Sequence, residues 1–293
     1  MADREESDAP ESERRTAPLV ELHGVGKTYG FGRRAREVVK DCSFTVERNA
    51  LTVMIGPTGA GKSTLIRLIA GFEKPTRGEI LIDGKPVTGP GRDRLVVFQE
   101  TALFPWMSTH ENVLYGPKAR GEHTPEVRKV ADRLLDRVGL SAFRSKYPSQ
   151  LSGGMQRRAE LARAMINEPS IMLLDEPFRG LDALTKRLML DYYAALCAET
   201  GRASLFVTTD VDEAIFLADR LLIMSHIPTQ VRAVVDVDLP RPRHVSTSVV
   251  DDRANALKME VLSILHEEAM KSFRAGSKAA DDFVDAYRRR IAG

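Results

Sequence analysis

The 293-residue sequence is poor in cysteine and has no long apolar run, and each absence excludes a class of protein. Its two cysteines, Cys42 and Cys197, lie far apart without metal-ligand spacing. This pattern favours a reducing compartment, in which both act as small buried apolar side chains. No apolar run approaches the ~18–20 residues of a membrane span, and the N-terminus lacks the apolar stretch of a secretory signal. We therefore expect any function at a membrane to depend on a partner.

An excess of one charge is also missing. The sequence has 43 basic and 41 acidic residues, and its formal net charge is only +2. Such a balance offers no general attraction for nucleic acid, so we expect no nucleic-acid partner. Hydrophobic residues make up 43% of the chain, which is typical of a globular protein with a sizeable core. The length allows one large domain or two modest ones.

A glycine-rich loop lies between a predicted strand, residues 51–55, and a predicted helix, residues 63–70. The loop matches the pattern G-x-x-x-x-G-K-S and consists of Gly56, Pro57, Thr58, Gly59, Ala60, Gly61, Lys62 and Ser63. Such a loop points backbone N–H groups at phosphate oxygens, and the helix N-terminus adds the positive end of a dipole. We predict that Lys62 binds the β- and γ-phosphates and that the Ser63 hydroxyl ligates Mg²⁺.

Two adjacent carboxylates end a second apolar segment. Asp175 and Glu176 follow residues 171–174, which predict a buried strand. Open α/β sheets bind ligands at the carboxyl ends of their strands, so we expect both side chains at the phosphate site. We predict that Asp175 holds Mg²⁺, directly or through water, and that Glu176 orients or deprotonates an attacking water.

The order of the predicted elements indicates an α/β fold. Short alternating segments before about residue 48 predict an antiparallel sheet, and helical spacing dominates residues 101–165. Strands and helices then alternate at residues 171–174, 184–198, 205–208 and 211–218. This alternation predicts a largely parallel sheet that is covered on both faces.

Further motifs follow in a fixed order along the chain. Ser-Gly-Gly at residues 152–154 opens a predicted helix, Gln99 follows a short strand, and Gly-Leu-Asp occupies residues 180–182. Near the N-terminus, Tyr29 stands in the sequence Lys-Thr-Tyr-Gly. With the phosphate loop and the Asp-Glu strand, these motifs resemble those of ATP-binding cassette (ABC) ATPases. The resemblance covers about residues 19–226.

The resemblance implies a P-loop NTPase fold of ABC type, in which a mostly parallel sheet core carries an antiparallel β subdomain and an inserted helical subdomain. It implies ATP and Mg²⁺ as cofactors. Gln99 would touch Mg²⁺ or water and would act in catalysis together with Lys62 and Glu176. The other nucleotide-binding residues would be Tyr29 (stacked on adenine), Thr64, Ser152, Gly153, Gly154, Asp182 and Thr209.

The resemblance also implies partners. In this family the helix start at Ser152 faces the γ-phosphate held by a second ATPase subunit, and Asp182 runs along the same interface. A homo- or heterodimer would then engage transmembrane permease subunits and, indirectly, an extracytoplasmic solute-binding protein. Residues 103–106, Leu-Phe-Pro-Trp, are either walls of the permease-binding groove or internal packing. The expected location is peripheral, on the cytoplasmic face of the cell membrane.

One position departs from the family pattern in a way that bears on catalysis. Thr209 occupies the position of a histidine after a strand, and threonine is shorter and never cationic. The chain is then a slow or regulated ATPase, or the partner of a histidine-bearing subunit, or an enzyme in which Thr209 with a water substitutes. Because Lys62, Asp175, Glu176 and Gln99 are present, we expect hydrolysis. The alternative is a regulatory nucleotide-binding subunit with weak turnover.

Two segments narrow the subfamily. Residues 98–106 and 175–185 resemble the nitrate, sulfonate and taurine branch of bacterial importers, although Arg179 stands where that branch has a small residue. We therefore expect the chain to power import of a small, anionic solute. A soluble ABC protein acting on ribosomes or DNA would carry two cassettes or a long coiled-coil insertion, and this chain has neither.

The domain prediction has three parts. Residues 1–18 are expected to be a disordered tail because they are rich in charged residues, serine and proline. Residues 19–228 would form the ABC ATPase domain, with the helical subdomain at about 101–165. Residues 229–293 would form a C-terminal extension of an edge strand plus helices. This extension packs on its own domain, contacts a second subunit or carries regulation, and its helical spacing favours packing.

Overall fold

The computed structural model describes residues 17–241, 243 and 252–276. The predicted tail, apart from its last two residues, lies outside this range, and so do several residues of the C-terminal extension. The strands are β1 (Val20–Tyr29), β2 (Arg36–Val46), β3 (Leu51–Ile55), β4 (Arg77–Ile82), β5 (Lys85–Pro86), β6 (Arg94–Val97), β7 (Ile171–Asp175), β8 (Ala203–Thr208), β9 (Arg220–Met224) and β10 (Val231–Asp236). The α-helices are α1 (Lys62–Ala70), α2 (Thr109–Ala119), α3 (Pro125–Arg137), α4 (Gly153–Met165), α5 (Ala183–Thr200), α6 (Val211–Leu217) and α7 (Asp252–Gly276).

A six-stranded sheet forms the centre, with the strand order β10-β9-β3-β8-β7-β6. Five neighbouring strands run parallel, and β10 pairs antiparallel with β9 at one edge. Every residue of β3 and β8 is buried, because both faces of the sheet are covered. The predicted α/β fold with a mostly parallel sheet is confirmed.

A second, antiparallel sheet has the order β2-β1-β4-β5. Its register begins where Val20 lies opposite both Val46 and Ile82. The tight turn between β4 and β5 is made by Asp83 and Gly84, both at positive φ, as an Asp-Gly pair favours. Apolar side chains of this sheet pack against α1 and one face of the central sheet. The phosphate loop adjoins this sheet at Gly61, where an added Cβ would lie 3.0 Å from Val38 of β2.

Helices α2, α3 and α4 form a helical region between β6 and β7. Ser108 caps α2 in a reciprocal arrangement with Glu111, and Thr124 caps α3, whose first residue is Pro125. The helical spacing predicted for α3 is confirmed, since Leu134 and Leu135 are buried. Residues of α4 pack against α2 and α3 and also against the central sheet. One continuous core therefore joins the helical region to the sheet.

Helix α7 covers the segment for which helical spacing predicted a helix, and it packs on α6 and β9. Ala254 and Val261 are buried in this contact. The carboxylate of Glu268, also buried, accepts a hydrogen bond from the His226 backbone N–H (3.2 Å). None of the described helices is long and apolar enough to span a membrane.

Candidate functional site

The phosphate loop connects the carboxyl end of β3 to the first turn of α1. Gly59 and Gly61 adopt positive φ angles of 78° and 85°, which side-chain-bearing residues disfavour. A Cβ atom on Gly61 would lie 2.7 Å from the Thr229 hydroxyl oxygen, so this position also needs a residue without a side chain. The loop is therefore folded tightly, with the first turn of α1 directly behind it.

Lys62 is the cation of this loop. Its side chain is buried, and the ammonium donates hydrogen bonds to the carbonyl oxygens of Gly56 (2.8 Å) and Pro57 (2.9 Å). Burial lowers the pKa of Lys62, whereas the negative charges of Glu176 and Asp175 raise it. The lysine thus lies inside the loop and within electrostatic range of both carboxylates.

Asp175 ends β7 beside the loop. Its carboxylate accepts a hydrogen bond from Ser63; burial raises the pKa of Asp175, and this hydrogen bond opposes that rise. Glu176 follows at a φ of 45°, which is unusual for a residue other than glycine, and strained positions of this kind cluster at functional sites. Its backbone N–H donates to the Val207 carbonyl on β8 (3.0 Å), so a sheet contact holds this conformation.

The Glu176 carboxylate has a cationic neighbour. Its Oε2 atom accepts a hydrogen bond from Nη1 of Arg179 at 3.0 Å. The structure therefore brings Lys62, Ser63, Asp175 and Glu176 together as predicted, and adds an arginine that the sequence marked only as unusual.

The donor set beside the loop fits Mg²⁺. Ser63 and Asp175 bring a hydroxyl and a carboxylate oxygen into contact, and hard oxygen ligands of this kind suit the ion. In the part of the chain that the structure describes, no group of three or more His, Cys, Asp or Glu could hold a metal. One carboxylate is nevertheless enough, because Mg²⁺ binds through one or two carboxylates together with substrate phosphates. Gln99 is exposed two residues beyond β6, at the same sheet edge as Asp175.

Tyr29 lies at the end of β1 with 37% of its surface exposed. Its hydroxyl donates to Oε2 of Glu73 (2.6 Å), and the Lys27 ammonium lies 5.0 Å from the ring centroid. Burial and the hydrogen bond with Glu73 raise the pKa of Tyr29, whereas a hydrogen bond with Thr64 lowers it. An exposed aromatic ring therefore adjoins the first turn of α1, where the phosphate loop ends.

The Ser-Gly-Gly motif begins α4. The Ser152 hydroxyl caps the helix by accepting the Met155 N–H (3.3 Å), and Asp182 caps α5 in the same way through the Thr185 N–H (3.0 Å). Gly154 lies against Thr185, whose methyl carbon would be 2.5 Å from an added Cβ. The two caps thus adjoin one another, and within the described residues Ser152 makes no hydrogen bond to the phosphate loop.

Thr209 is exposed directly after β8 and before α6. Its neighbour Thr208 is buried and donates to the Glu213 carboxylate (2.5 Å), so the two threonines have different environments. Lys186 forms ion pairs with Glu213 (2.5 Å) and Asp210 (2.9 Å). Position 209 therefore lies at the carboxyl edge of the sheet but brings no charge there.

Comparisons with known proteins agree with this geometry. A family model described as ABC transporter matches residues 39–179. The nitrate import ATP-binding protein NrtD of Synechococcus elongatus is 40% identical over 245 residues, which cover 83% of this chain and 89% of that protein. The aliphatic sulfonates import ATP-binding protein SsuB of Bacillus licheniformis is 36% identical, with coverage of 86% and 96%. The chain belongs to the ABC transporter family.

Other similarities support the same assignment. The taurine import ATP-binding protein TauB of Roseobacter denitrificans is 42% identical over 195 residues, covering 67% of this chain and 73% of that protein. A solved dimeric ATP-binding cassette, in a post-hydrolysis state with ADP and phosphate, has a TM-score of 0.67 and 30% identity and covers 76% of this chain and 100% of its own. The protein is thus an ATP-binding ABC ATPase, and these comparisons give no support to the alternative of a subunit with weak turnover.

Two supporting residues of the ABC ATPase were missed by sequence reasoning. Arg157, buried on α4, donates to the carbonyl oxygens of Phe98 (2.7 Å) and Gln99 (2.6 Å). The fully buried Thr229 donates to the Ala60 carbonyl in the phosphate loop. Arg157 is a charged residue on the apolar face of a predicted helix, and this pattern could have indicated a buried, hydrogen-bonded arginine. Thr229 has no local signal, because its partner lies 169 residues away in sequence.

Proposed function

We propose that this ABC ATPase powers import of a small anionic solute by forming an ATP-bound dimer that drives membrane permease subunits. Relatives at 36–42% identity are named as nitrate, aliphatic sulfonate and taurine import proteins, and these solutes are small anions or carry an anionic group. The cluster of Lys62, Ser63, Asp175 and Glu176 at the carboxyl edge of the sheet is the observation that carries the proposal.

Binding begins at the phosphate loop. The Lys62 ammonium is held by two backbone carbonyls, and an anionic phosphate oxygen is a stronger partner that would draw it away from them. Tyr29 would stack on the adenine ring, and the loop N–H groups of residues 56–63, with Thr64, would bind the phosphates. Ser63, Asp175 and Gln99 would hold Mg²⁺, which neutralises phosphate charge when bound.

Glu176 is proposed to prepare the nucleophile. Its carboxylate would accept a hydrogen bond from a water molecule and orient it toward the γ-phosphate. It would take up a proton as the water oxygen bonds to the γ-phosphorus and the bond from that phosphorus to the leaving ADP oxygen breaks. The contact between Glu176 N–H and Val207 O supports this role, because it holds the residue in a conformation that local preference disfavours.

The second half of the site is proposed to come from another subunit. The exposed start of α4, with Ser152, Gly153 and Gly154, has helix N–H groups without intrahelical partners, and such an end suits a phosphate. Asp182 at the adjoining cap would lie at the same interface. The solved dimeric cassette supports this arrangement, and the partner is either a second copy or a different ATPase subunit.

The permease subunits are proposed to dock on the helical region. Leu103 is buried and belongs to the internal packing, whereas Phe104 is half-buried and contacts the exposed Tyr115 ring at 4.5 Å between centroids. Trp106, by contrast, is 70% exposed beside Phe104 and would be part of the docking surface. We place the protein peripherally at the cytoplasmic face of the cell membrane, with residues 19–228 as the ATPase unit and an extracytoplasmic binding protein as an indirect partner.

The deciding experiment is Mg²⁺-dependent ATP hydrolysis by wild type and Glu176→Gln. Loss of a general base costs about 10²–10⁴-fold in rate, so Glu176→Gln is expected to bind ATP and turn over at least about 10²-fold more slowly. Glu122→Gln, which removes another carboxylate paired with an arginine, is the matched control and should hydrolyse normally. Turnover of Glu176→Gln at the wild-type rate would exclude the proposed role.

Dimer formation is tested on the same variant by light scattering. If hydrolysis reopens the dimer, Glu176→Gln with ATP and Mg²⁺ accumulates as a dimer, and adding Ser152→Arg prevents this. Undiminished dimerisation of the double variant would show that the start of α4 does not face the nucleotide.

A further inference from the structure

Phosphoryl transfer needs positive charge around the γ-phosphate, and the described cations near this site differ in how firmly they are held. Lys62 lies on loop carbonyls, where the incoming phosphates replace its partners. Lys186 is committed to Asp210 and Glu213 at 2.9 Å and 2.5 Å. Thr209 carries no charge. Of these three residues, Lys62 alone therefore offers a positive charge to the γ-phosphate.

Arg179 is the cation in direct contact with the proposed base. It lies three residues after Glu176, and its backbone N–H donates to the Glu176 carbonyl oxygen (3.2 Å), which keeps the two residues in one turn. Its positive charge also acts on Lys62. Burial is the main cause of the lowered lysine pKa, and the Arg179 charge contributes in the same direction. The guanidinium is therefore within electrostatic range of both the phosphate loop and the proposed base.

The contact that holds Arg179 is weak. Only Nη1 is engaged, with Oε2 of Glu176 at 3.0 Å, and no other hydrogen bond of this guanidinium is found within residues 17–241, 243 and 252–276. The Arg179 side chain is 54% exposed, whereas Glu176 is 13% exposed. Because the arginine is exposed and holds the carboxylate through one N–H group, water can replace that contact and the arginine can change partners at small cost.

We propose that Arg179 leaves Glu176 when ATP binds and donates hydrogen bonds to γ-phosphate oxygens, supplying the positive charge that Thr209 cannot. The planar fork of an arginine matches phosphate oxygens, and the phosphate carries more negative charge than a carboxylate. The same movement frees the Glu176 oxygen, which can then accept a hydrogen bond from the attacking water. This inference rests on the proposed hydrolytic site, and it adds a charged residue that acts on the transition state.

The first test compares steady-state hydrolysis by wild type, Arg179→Ala and Arg179→Lys. Removing one donor to a developing charge costs on the order of 10²-fold in kcat, so Arg179→Ala is expected to lose about that factor in kcat and a smaller factor in ATP affinity. Arg179→Lys keeps the charge without the fork and is expected to lose less. Arg48→Ala is the matched control, since Arg48 pairs with Asp83 at the opposite end of β3 and should leave kcat unchanged.

Two rescues separate direct action on the phosphate from a structural role. Guanidinium chloride at low millimolar concentration should raise the kcat of Arg179→Ala and leave that of Arg48→Ala unaffected. Introducing Thr209→His into Arg179→Ala should restore at least about a tenth of the lost rate, because an imidazole N–H donor, which gains positive charge on protonation, returns at the end of β8.

The opposite outcomes overturn the inference. If Arg179→Ala hydrolyses ATP faster than wild type, the arginine restrains Glu176 and does not assist the reaction; an unchanged kcat excludes both roles. A loss of kcat that neither rescue relieves also excludes contact with the phosphate. Glu176→Gln distinguishes the two proposals: if it hydrolyses ATP normally, the assigned base is wrong, whatever the Arg179 variants do.

Discussion

At the scale of single residues, the phosphate loop depends on a neighbour that is remote in sequence. The Thr229 hydroxyl donates to the Ala60 carbonyl, and the same hydroxyl would collide with any side chain at Gly61. Gly59 has a similar positive φ, but nothing lies within 4 Å of its missing Cβ atom. The two glycines thus share one backbone requirement, and only Gly61 has a second, steric one.

We predict different costs for the two corresponding alanine variants. Gly59→Ala should lower the free energy of unfolding by roughly 1–2 kcal/mol, the cost of a left-handed residue with a side chain. Gly61→Ala should lose about 1–3 kcal/mol more from overpacking and should bind ATP poorly. Urea unfolding and ATP titration measure both effects.

A double variant provides the control. Thr229→Ala removes the colliding oxygen, so Gly61→Ala/Thr229→Ala should regain part of the stability that Gly61→Ala loses. Equal costs for the two glycine variants would contradict the steric explanation.

At the scale of elements, a buried ion pair connects helix α4 to the segment after β6. Arg157 and Glu160 pair at 2.5 Å, and the pair reaches that segment through the carbonyls of Phe98 and Gln99 and through the Ala102 N–H (3.1 Å). Burial lowers the pKa of Arg157 and raises that of Glu160, and each charge opposes the shift of the other. Both groups therefore depend on their partner, and Gln99 depends on both.

Arg157→Met should lower the free energy of unfolding by about 3 kcal/mol, because the buried Glu160 carboxylate then keeps only the more distant Arg163, at 3.7 Å. Arg157→Met/Glu160→Leu should recover much of this stability, since the buried carboxylate is gone and Arg163 keeps its hydrogen bond to the Ala102 carbonyl (2.8 Å). Its ATP hydrolysis should nevertheless stay low, because the Phe98 and Gln99 carbonyls have lost the donor that positions the segment. Denaturant unfolding and ATPase rates separate the two effects.

The neighbouring arginine on α4 is the control for this experiment. Arg158 donates to the Val138 carbonyl (2.8 Å), so Arg158→Met should leave the Gln99 segment in place and should preserve hydrolysis better. If the double variant of Arg157 and Glu160 hydrolysed ATP at the wild-type rate, the pair would be structural only.

At the scale of the whole molecule, a buried carboxylate links helix α7 to the strand system in addition to their apolar contact. Glu268 accepts from Lys271 (2.5 Å) and from the His226 N–H, and Arg232 lies 3.5 Å away. Burial raises the pKa of Glu268, but the contacts with Lys271, the His226 N–H and Arg232 outweigh it and lower the pKa overall. The segment of residues 225–230 thus contacts α7 through His226 and the phosphate loop through Thr229.

We predict that Glu268→Gln lowers the free energy of unfolding by about 1 kcal/mol at neutral pH, because charge-assisted hydrogen bonds are lost. The pKa of Glu268 is lowered by folding, so its contribution is present above the ordinary carboxyl pKa and is lost as the pH falls through the lowered value. The difference between wild type and variant should therefore shrink on acidification. Glu267→Gln, at an exposed neighbour that also faces Arg232, should show a smaller difference at neutral pH.

Sequence reasoning located most of the proposed site because its features are local. A glycine pattern, an apolar strand and two carboxylates at its end are each visible within a few residues, since backbone conformation and strand burial depend on near neighbours. The parallel arrangement also followed from sequence, because strands joined through helices must run in the same direction. The α/β class and the ABC family therefore needed no coordinates.

Contacts between distant segments were decided by the tertiary structure alone. The sequence did not indicate that Thr229 would meet Ala60, that Arg157 would bind Phe98 and Gln99, or that α7 would be anchored through Glu268. Even for Arg179, three residues from Glu176, the sequence did not indicate the contact with the Glu176 carboxylate. The sequence by itself determined which groups are available for phosphate chemistry, whereas packing of remote elements decided which groups meet, because such contacts leave no periodic or local pattern in the chain.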